Sequence, residues 1–356
     1  MRTLFFIFFA FLFFSSIGQI PAGYYNNAQG LIGDNLQSAL HNIIKNHNDI
    51  SYSALWSAYE STDKKSNGKV WDMYSDVPGG TPPYQFTFFS DQCGNYGQEG
   101  DCYNREHSFP KSWFGGTVAP MNTELFQVYP TDGYVNGKRS NYPFGEVGTA
   151  SWTSQNGCKL GNCISPGYSG TVFEPIDEYK GDFARTYFYM ATRYLGEDNN
   201  WPGSPMVDGA QPKTWALNML FEWHQNDPVS DKEINRNNAV HDIQNNRNPF
   251  IDVPFYADQI WFNSTGTQDF QLDEFDVSIF PNPAQNEINI NLSTDATHRN
   301  LEFNVMDQTG RILLSKYTTE KDHFEIGIEN LISGMYFIII QDTENDFQIT
   351  RKLIKQ

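Results

Sequence analysis

The sequence predicts an α+β domain with a largely helical surround, followed by a small all-β sandwich. Three observations predict it. Apolar residues recur at helical spacing in several stretches before residue 250. Between those stretches, residues 69–152 are dense in Gly, Pro, Asn and aromatics, which favours short strands joined by long loops. Beyond Phe275 the apolar period changes to two. A chain of 356 residues has room for two domains plus processed ends. With 39% hydrophobic and 15% aromatic residues it is too rich in core formers for a disordered chain, and it lacks the strict repeat of a collagen or coiled coil.

At the N-terminus, Met1-Arg2 precedes the apolar run Leu4–Phe14, then Ser15-Ser16-Ile17-Gly18-Gln19. One positive charge, a short apolar core and small residues predict a secretory signal over residues 1–18. The run falls short of the roughly 20 residues that a membrane span needs. A mean hydropathy of −0.53 excludes a polytopic membrane protein.

Leu36, Leu40, Ile43 and Ile44 predict a first helix within residues 30–62, and Leu55, Trp56 and Tyr59 a second. Three more are expected. One covers residues 177–194, with Ala184, Tyr187, Phe188, Ala191 and Tyr194 on one face. Another covers residues 214–225, with Leu217, Leu220 and Trp223. The third starts at Ser230, whose spacing to Glu233 is that of a capping box. Ile234, Val240 and Ile243 are its expected buried stripe, and Pro249 its stop.

These elements assign residues 19–262 to the first domain. Residues 263–274, rich in Asn, Ser, Thr, Gly, Gln and Asp, read as a linker. In residues 275–356 the two-residue period runs through Phe275/Val277/Ile279, Ile288/Ile290/Leu292, Leu301/Phe303/Val305, Ile312/Leu314, Phe324/Ile326/Ile328 and Tyr336/Ile338/Ile340. Turns at Pro281-Asn282-Pro283, Gln308-Thr309-Gly310 and Ser333-Gly334 punctuate it.

A secreted chain meets an oxidising environment, so its cysteines read as disulfides. Cys93 and Cys102 bracket a Gly-rich loop, and Cys158 and Cys163 bracket Lys-Leu-Gly-Asn. Two local bridges are the natural expectation, although four cysteines allow three pairings. Zinc is the weaker reading, because neither pair has CxxC spacing and no His lies close to Cys158 or Cys163.

The net charge of −18 excludes a protein that coats nucleic acid with a basic surface. Any polyanion must be gripped by a local basic patch or through a bound cation. The stretch Asn104-Arg105-Glu106-His107-Ser108-Phe109-Pro110 offers such chemistry. A neutral imidazole can take a proton from water, and a carboxylate with a nearby amide oxygen suits a hard cation that keeps waters and binds phosphate. Glu-His alone carries little weight among seven histidines.

Several blocks together resemble the endonuclease I family, secreted or periplasmic non-specific nucleases of the His-Me finger (ββα-metal) class. They are the stretch just quoted, Val135-Asn136-Gly137-Lys138-Arg139-Ser140-Asn141-Tyr142, and Phe173-Glu174-Pro175 with Lys180-Gly181-Asp182-Phe183-Ala184-Arg185. Trp223-His224-Gln225-Asn226-Asp227-Pro228 and the run from Arg236-Asn237-Asn238 to Asn248-Pro249-Phe250-Ile251-Asp252 complete them. They follow the family's order over residues 20–262.

The resemblance implies a ββα-metal fold and hydrolysis of DNA, or RNA, to 5′-phosphate and 3′-hydroxyl ends. It implies His107 as general base, with Glu106 and Asn136 holding one Mg²⁺, for which Ca²⁺ or Mn²⁺ could substitute. Arg139 is a candidate phosphate contact, with an ion pair to an acidic neighbour as the equal alternative. Arg185, with Arg193 and Arg247, could line a phosphate groove, against salt bridges to Asp182, Glu178 or Glu197. His224, beside Trp223, reads as core packing.

One block departs from the family, which commonly has Asp-Leu-His-Asn before Leu-Tyr-Pro. Here Glu124-Leu125-Phe126-Gln127 stands there, which would weaken a supporting shell if that His braces the site. The departure is also the one support for an alternative, a non-catalytic secreted binding or adhesion protein on the same scaffold.

Phe280-Pro281-Asn282-Pro283-Ala284, Gln308-Thr309-Gly310-Arg311, Leu331-Ile332-Ser333-Gly334-Met335-Tyr336-Phe337 and the ending Arg351-Lys352-Leu353-Ile354-Lys355-Gln356 resemble the type A C-terminal sorting domain of type IX secretion. The export machinery is the partner this implies, with a secreted or cell-surface destination. Apart from the resemblance, the mature chain is expected to have no membrane span and to be a monomer.

Overall fold

The computed structural model describes residues 20–262, 277–292, 301–307, 311–318, 323–342 and 347–356. The expected signal at 1–18, the linker at 263–274, Phe275 and the turn at Gln308-Thr309-Gly310 lie outside them. The chain divides into two compact units between residues 264 and 265.

The first unit mixes helices with small sheets. Helices α1 (Gly33–Ile44) and α2 (Leu55–Thr62) lead to β1 (Tyr103–His107), β2 (Val128–Asp132) and α3 (Gly133–Arg139). Then come β3 (Val147–Thr153), β4 (Lys159–Cys163), β5 (Thr171–Glu174) and α4 (Lys180–Arg193). A two-residue pair, β6 (Val207–Asp208) and β7 (Gln211–Pro212), precedes α5 (Thr214–Asn226), α6 (Asp231–Gln244), α7 (Pro249–Asp252) and α8 (Tyr256–Trp261).

β1 and β2 form an antiparallel pair, with Glu106 opposite Tyr129 and His107 opposite Val128. The chain turns from β2 straight into α3 because Asp132 caps the helix, its Oδ1 accepting the Val135 amide at 2.8 Å. The residue-level reading expected short strands here and missed α3, although Asp132 is the cap signal that marks its start.

All fourteen residues of α4 are buried, so the expected single apolar stripe is only part of its surface. Its polar residues survive burial by pairing. Asp182 accepts from Lys232, Arg185 grips Glu233, and Thr186 bonds Tyr129. The complementary surface is α6, and here the expected stripe needs correction. Ile234 is 37% exposed, and the buried face of α6 is Lys232, Glu233, Arg236, Asn237, Val240 and Gln244. The Ser230–Glu233 capping box forms as expected. Pro249 does not stop α6: the helix ends at Gln244 on Asn245, which takes the left-handed conformation at φ 64°, and Pro249 opens α7.

Cys93 and Cys102 form a disulfide, whereas Cys158 and Cys163 are free and buried. The second expected bridge is therefore corrected. The strand β4 holds these two cysteines apart, five residues along an extended chain being about 16 Å at about 3.3 Å each, beyond the roughly 7 Å that a disulfide spans.

The second unit contains β8 (Val277–Phe280), β9 (Glu287–Leu292), β10 (Leu301–Met306), β11 (Ile312–Thr318), β12 (His323–Gly327), β13 (Gly334–Asp342) and β14 (Phe347–Lys355). They make two antiparallel sheets, ordered β12-β9-β8 and β11-β10-β13-β14. Ile288, Ile290, Phe324 and Ile326 of one sheet share a core with Phe303, Val305, Ile338 and Ile340 of the other. Period-two patterning is what such two-faced packing requires.

Candidate active site

Alternate residues of β1 project to opposite faces. Asn104 and Glu106 share one face, Arg105 and His107 the other. Likewise Asn136 and Arg139, three apart, share one side of α3. The two sets meet in register. Asn136 Nδ2 donates to Asn104 Oδ1 at 2.7 Å, and Arg139 Nη1 lies 3.2 Å from Glu106 Oε1. The ββα unit thus sets Asn136 against Asn104 and Arg139 against Glu106 on one face of β1, with His107, the next residue along the strand, on the other.

Glu106 is 2% exposed and also accepts from the Tyr74 hydroxyl at 2.9 Å. Burial raises its pKa, against the opposing pull of the Arg139 charge and the Tyr74 hydrogen bond. Arg139 is fully buried. It donates to the His107 carbonyl at 2.9 Å and the Ser108 carbonyl at 2.6 Å, and lies on the Phe144 ring. Of the two readings for Arg139, the ion pair is what the structure contains: this guanidinium braces the end of β1 and does not face solvent.

His107 is 6% exposed. Its Nε2 lies 3.0 Å from the Asn122 carbonyl, which can only accept, so Nε2 carries the proton and Nδ1 is the acceptor of a neutral ring. Burial, then the nearby Lys111, Arg105 and Arg139 charges, hold its pKa down to about 3 against the Asn122 hydrogen bond. Tyr52 stacks on the ring at 6.1 Å. The same tyrosine carries Arg105 at 3.6 Å and Lys111 at 5.6 Å from its ring centre. Neither cation has a carboxylate partner among the described residues. Both cations are half-buried around the Tyr52 ring that stacks on His107.

The donor set suits a hard cation. Glu106 supplies a carboxylate, and with Nδ2 committed to Asn104, the Asn136 Oδ1 is left to accept. Among the described residues there is no cluster of three or more His, Cys, Asp or Glu, so an ion here would complete its shell with waters and substrate oxygens, as Mg²⁺ does.

Several supporting residues have no sequence signature. Tyr74, Asn122 and Tyr52 act through long-range contacts or a backbone carbonyl, and only the fold brings them in. Gln127, at the departure from the family pattern, donates to the Met121 carbonyl at 2.6 Å and so holds the turn that presents Asn122 to His107. Phe126 is core, its ring 4.6 Å from Tyr189.

Arg185 is not at a phosphate groove. It is fully buried, bidentate to Glu233 and bonded to the Asp227 carbonyl at 2.9 Å and to His224 Nδ1 at 3.2 Å. Its partner is thus Glu233, not the Asp182, Glu178 or Glu197 expected. Arg247 is likewise taken by Asp252, and Arg193 by Glu197.

His224 donates from Nε2 to the Pro254 carbonyl at 3.1 Å while Nδ1 accepts from Arg185, a pattern that only the neutral ring satisfies. Burial, then Arg185, lowers its pKa to about 3. The unfolded chain takes up this proton below about pH 6.5 while the folded chain refuses it until about pH 3. Stability is therefore lost as pH falls through that window, by up to about 1.4 kcal/mol per pH unit per proton. His224→Gln keeps one donor and one acceptor but no titrating ring. Urea unfolding at pH 7.5, 6, 5 and 4 should show the difference between wild type and this variant shifting toward the variant as pH falls. A difference constant with pH would contradict the assignment.

Residues 32–255 match the family model described as Endonuclease I, and residues 278–356 the model described as a secretion system C-terminal sorting domain. The extracellular ribonuclease of Bacillus subtilis (strain 168) is 37% identical over 249 residues, covering 67% of this chain and 78% of that protein. The extracellular ribonuclease of Bacillus amyloliquefaciens is 38% identical over 246 residues with the same coverage. A periplasmic deoxyribonuclease of Aeromonas hydrophila is 25% identical over 134 residues, 37% of this chain and 48% of that protein.

Proposed function

Because the chain belongs to the endonuclease I family, a family of nucleases, and ends in a secretion sorting domain, we propose that it is a secreted, divalent-cation-dependent nuclease that hydrolyses phosphodiester bonds in RNA and DNA. Type IX machinery is the proposed export route. The observation that carries the catalytic reading is the neutral, oriented His107 next to Glu106 on β1, with Asn136 on the helix α3 that packs on the same strand.

His107 Nδ1 is the proton acceptor. The Asn122 carbonyl fixes the tautomer, and Tyr52 and the bracing of β1 by Arg139 fix the ring's position. Nδ1 takes a proton from a water as that water's oxygen attacks phosphorus. The P–O bond to the 3′ oxygen breaks, that oxygen takes a proton from a second water, and the ends are a 5′-phosphate and a 3′-hydroxyl. Arg105 and Lys111 hold the backbone by charge alone, so little base preference is expected and binding weakens with added salt. Glu106 and Asn136 would hold the Mg²⁺, whose charge offsets that growing on the phosphate oxygens in the transition state.

Cleavage of single-stranded RNA and of plasmid DNA, with and without chelator, tests this reading. The expected result is cleavage of both in Mg²⁺ with 5′-phosphate ends and none in EDTA.

A further inference from the structure

The helix that carries Asn136 also carries an aromatic and basic face. At about 100° per residue, Asn136 is followed around α3 by Gly133 and Gly137, then by Tyr134 and Lys138. The two glycines lie under the ring of Tyr96. A Cβ on Gly133 would fall 2.5 Å from the Tyr96 Cδ1, and one on Gly137 2.8 Å from its hydroxyl oxygen. Tyr96 comes from the loop that the Cys93–Cys102 disulfide closes, and it is 36% exposed. Beyond it the Tyr134 ring stands 6.5 Å from Tyr96 and 6.4 Å from Trp152, edge-on to both. Lys138 Nζ is 5.1 Å from the Tyr134 ring and 5.9 Å from that of Trp152, and has no carboxylate partner among the described residues.

These rings stay partly open to solvent, although Trp152 also packs in part against the domain core. Trp152 sits on β3, an edge strand whose residues from Gly148 to Thr153 are exposed or half-exposed, and Tyr134 is half-exposed. Three partly exposed rings and a lysine with no carboxylate partner among the described residues form one surface that starts beside Asn136.

Resting on the nuclease reading above, we propose that Tyr96, Tyr134, Trp152 and Lys138 form a stacking platform for the bases of single-stranded nucleic acid. It receives the nucleotides next to the phosphate held at Glu106 and Asn136. Every base presents a π face, so such a platform accepts any sequence, and Lys138 meets a phosphate along the way. Duplex bases are already stacked on each other and cannot reach the rings. The platform therefore favours single strands of either sugar.

The test is fluorescence titration of the full chain in EDTA. The probes are a short single-stranded RNA, a DNA of the same sequence and an abasic strand of the same length. Both base-bearing strands should bind about tenfold more tightly than the abasic one, the factor that about 1.4 kcal/mol of stacking gives. Trp152→Leu should lose that factor and Trp152→Phe should keep it. Equal affinity for abasic and base-bearing strands overturns the platform, as does unchanged binding by Trp152→Leu. The abasic comparison uses wild type alone, so it stands even if the leucine variant fails to fold. Wild-type cleavage in Mg²⁺ is measured alongside. Its absence overturns the nuclease reading, whereas cleavage with base-independent binding overturns the platform alone.

Discussion

Replacing His107 by alanine lowers the rate of phosphodiester hydrolysis by about 10²- to 10⁴-fold, the usual contribution of a positioned general base. The ring is neutral, and its Nε2 proton is committed to the Asn122 carbonyl, which leaves Nδ1 as the acceptor. Single-turnover cleavage of a labelled RNA oligonucleotide in saturating Mg²⁺ measures the loss. The small side chain leaves the Arg139 bonds to the His107 and Ser108 carbonyls in place, because those bonds use backbone oxygens. The variant should therefore fold. A folded His107→Ala chain that cuts at the wild-type rate would remove His107 from the mechanism.

Arg139→Ala carries the largest expected cost in stability, about 3–5 kcal/mol, the range for stranding one member of a buried ion pair. Its guanidinium is the cation 3.2 Å from the buried Glu106 carboxylate, and burial already raises the pKa of that group. It also bonds two backbone carbonyls at the end of β1, which a lysine's single ammonium cannot reproduce. Arg139→Lys should fall between wild type and alanine. Urea unfolding measures both. The double variant Glu106→Gln with Arg139→Leu should regain much of the loss, because it leaves no uncompensated charge. A loss under 1 kcal/mol for Arg139→Ala would mean that Glu106 is solvated or neutral and the pair is not a brace.

How legible the site was depended on whether its parts lie together in the chain. Glu106, His107 and Asn136 stand inside contiguous motifs and could be picked out before any fold was known. Tyr74, 32 residues before Glu106, has no local mark and acts only because its loop folds over β1. Asn122 acts through a backbone carbonyl, which no side-chain motif records. The errors in the fold have a related cause. Periodicity reads apolar residues, so it placed Ile234 in the core and overlooked that α6 presents Lys232, Glu233 and Arg236 to Asp182, Arg185 and Asp63. Local sequence likewise left open whether Arg139 and Arg185 meet phosphate or a carboxylate, and each is fully buried against a carboxylate from elsewhere in the chain. In the second unit, apolar and polar residues alternate on two-faced strands, and there the pattern and the sheets agree.

Chelation and rescue test the central claim most directly. Purified chain is stripped with EDTA, and RNA cleavage is followed as Mg²⁺ is returned, for wild type and for Glu106→Gln. Activity should vanish on stripping and return with Mg²⁺ in wild type, while Glu106→Gln should need at least tenfold more Mg²⁺ or stay inactive. Undiminished cleavage in EDTA, or identical Mg²⁺ dependence in the two chains, would contradict a cation held at Glu106.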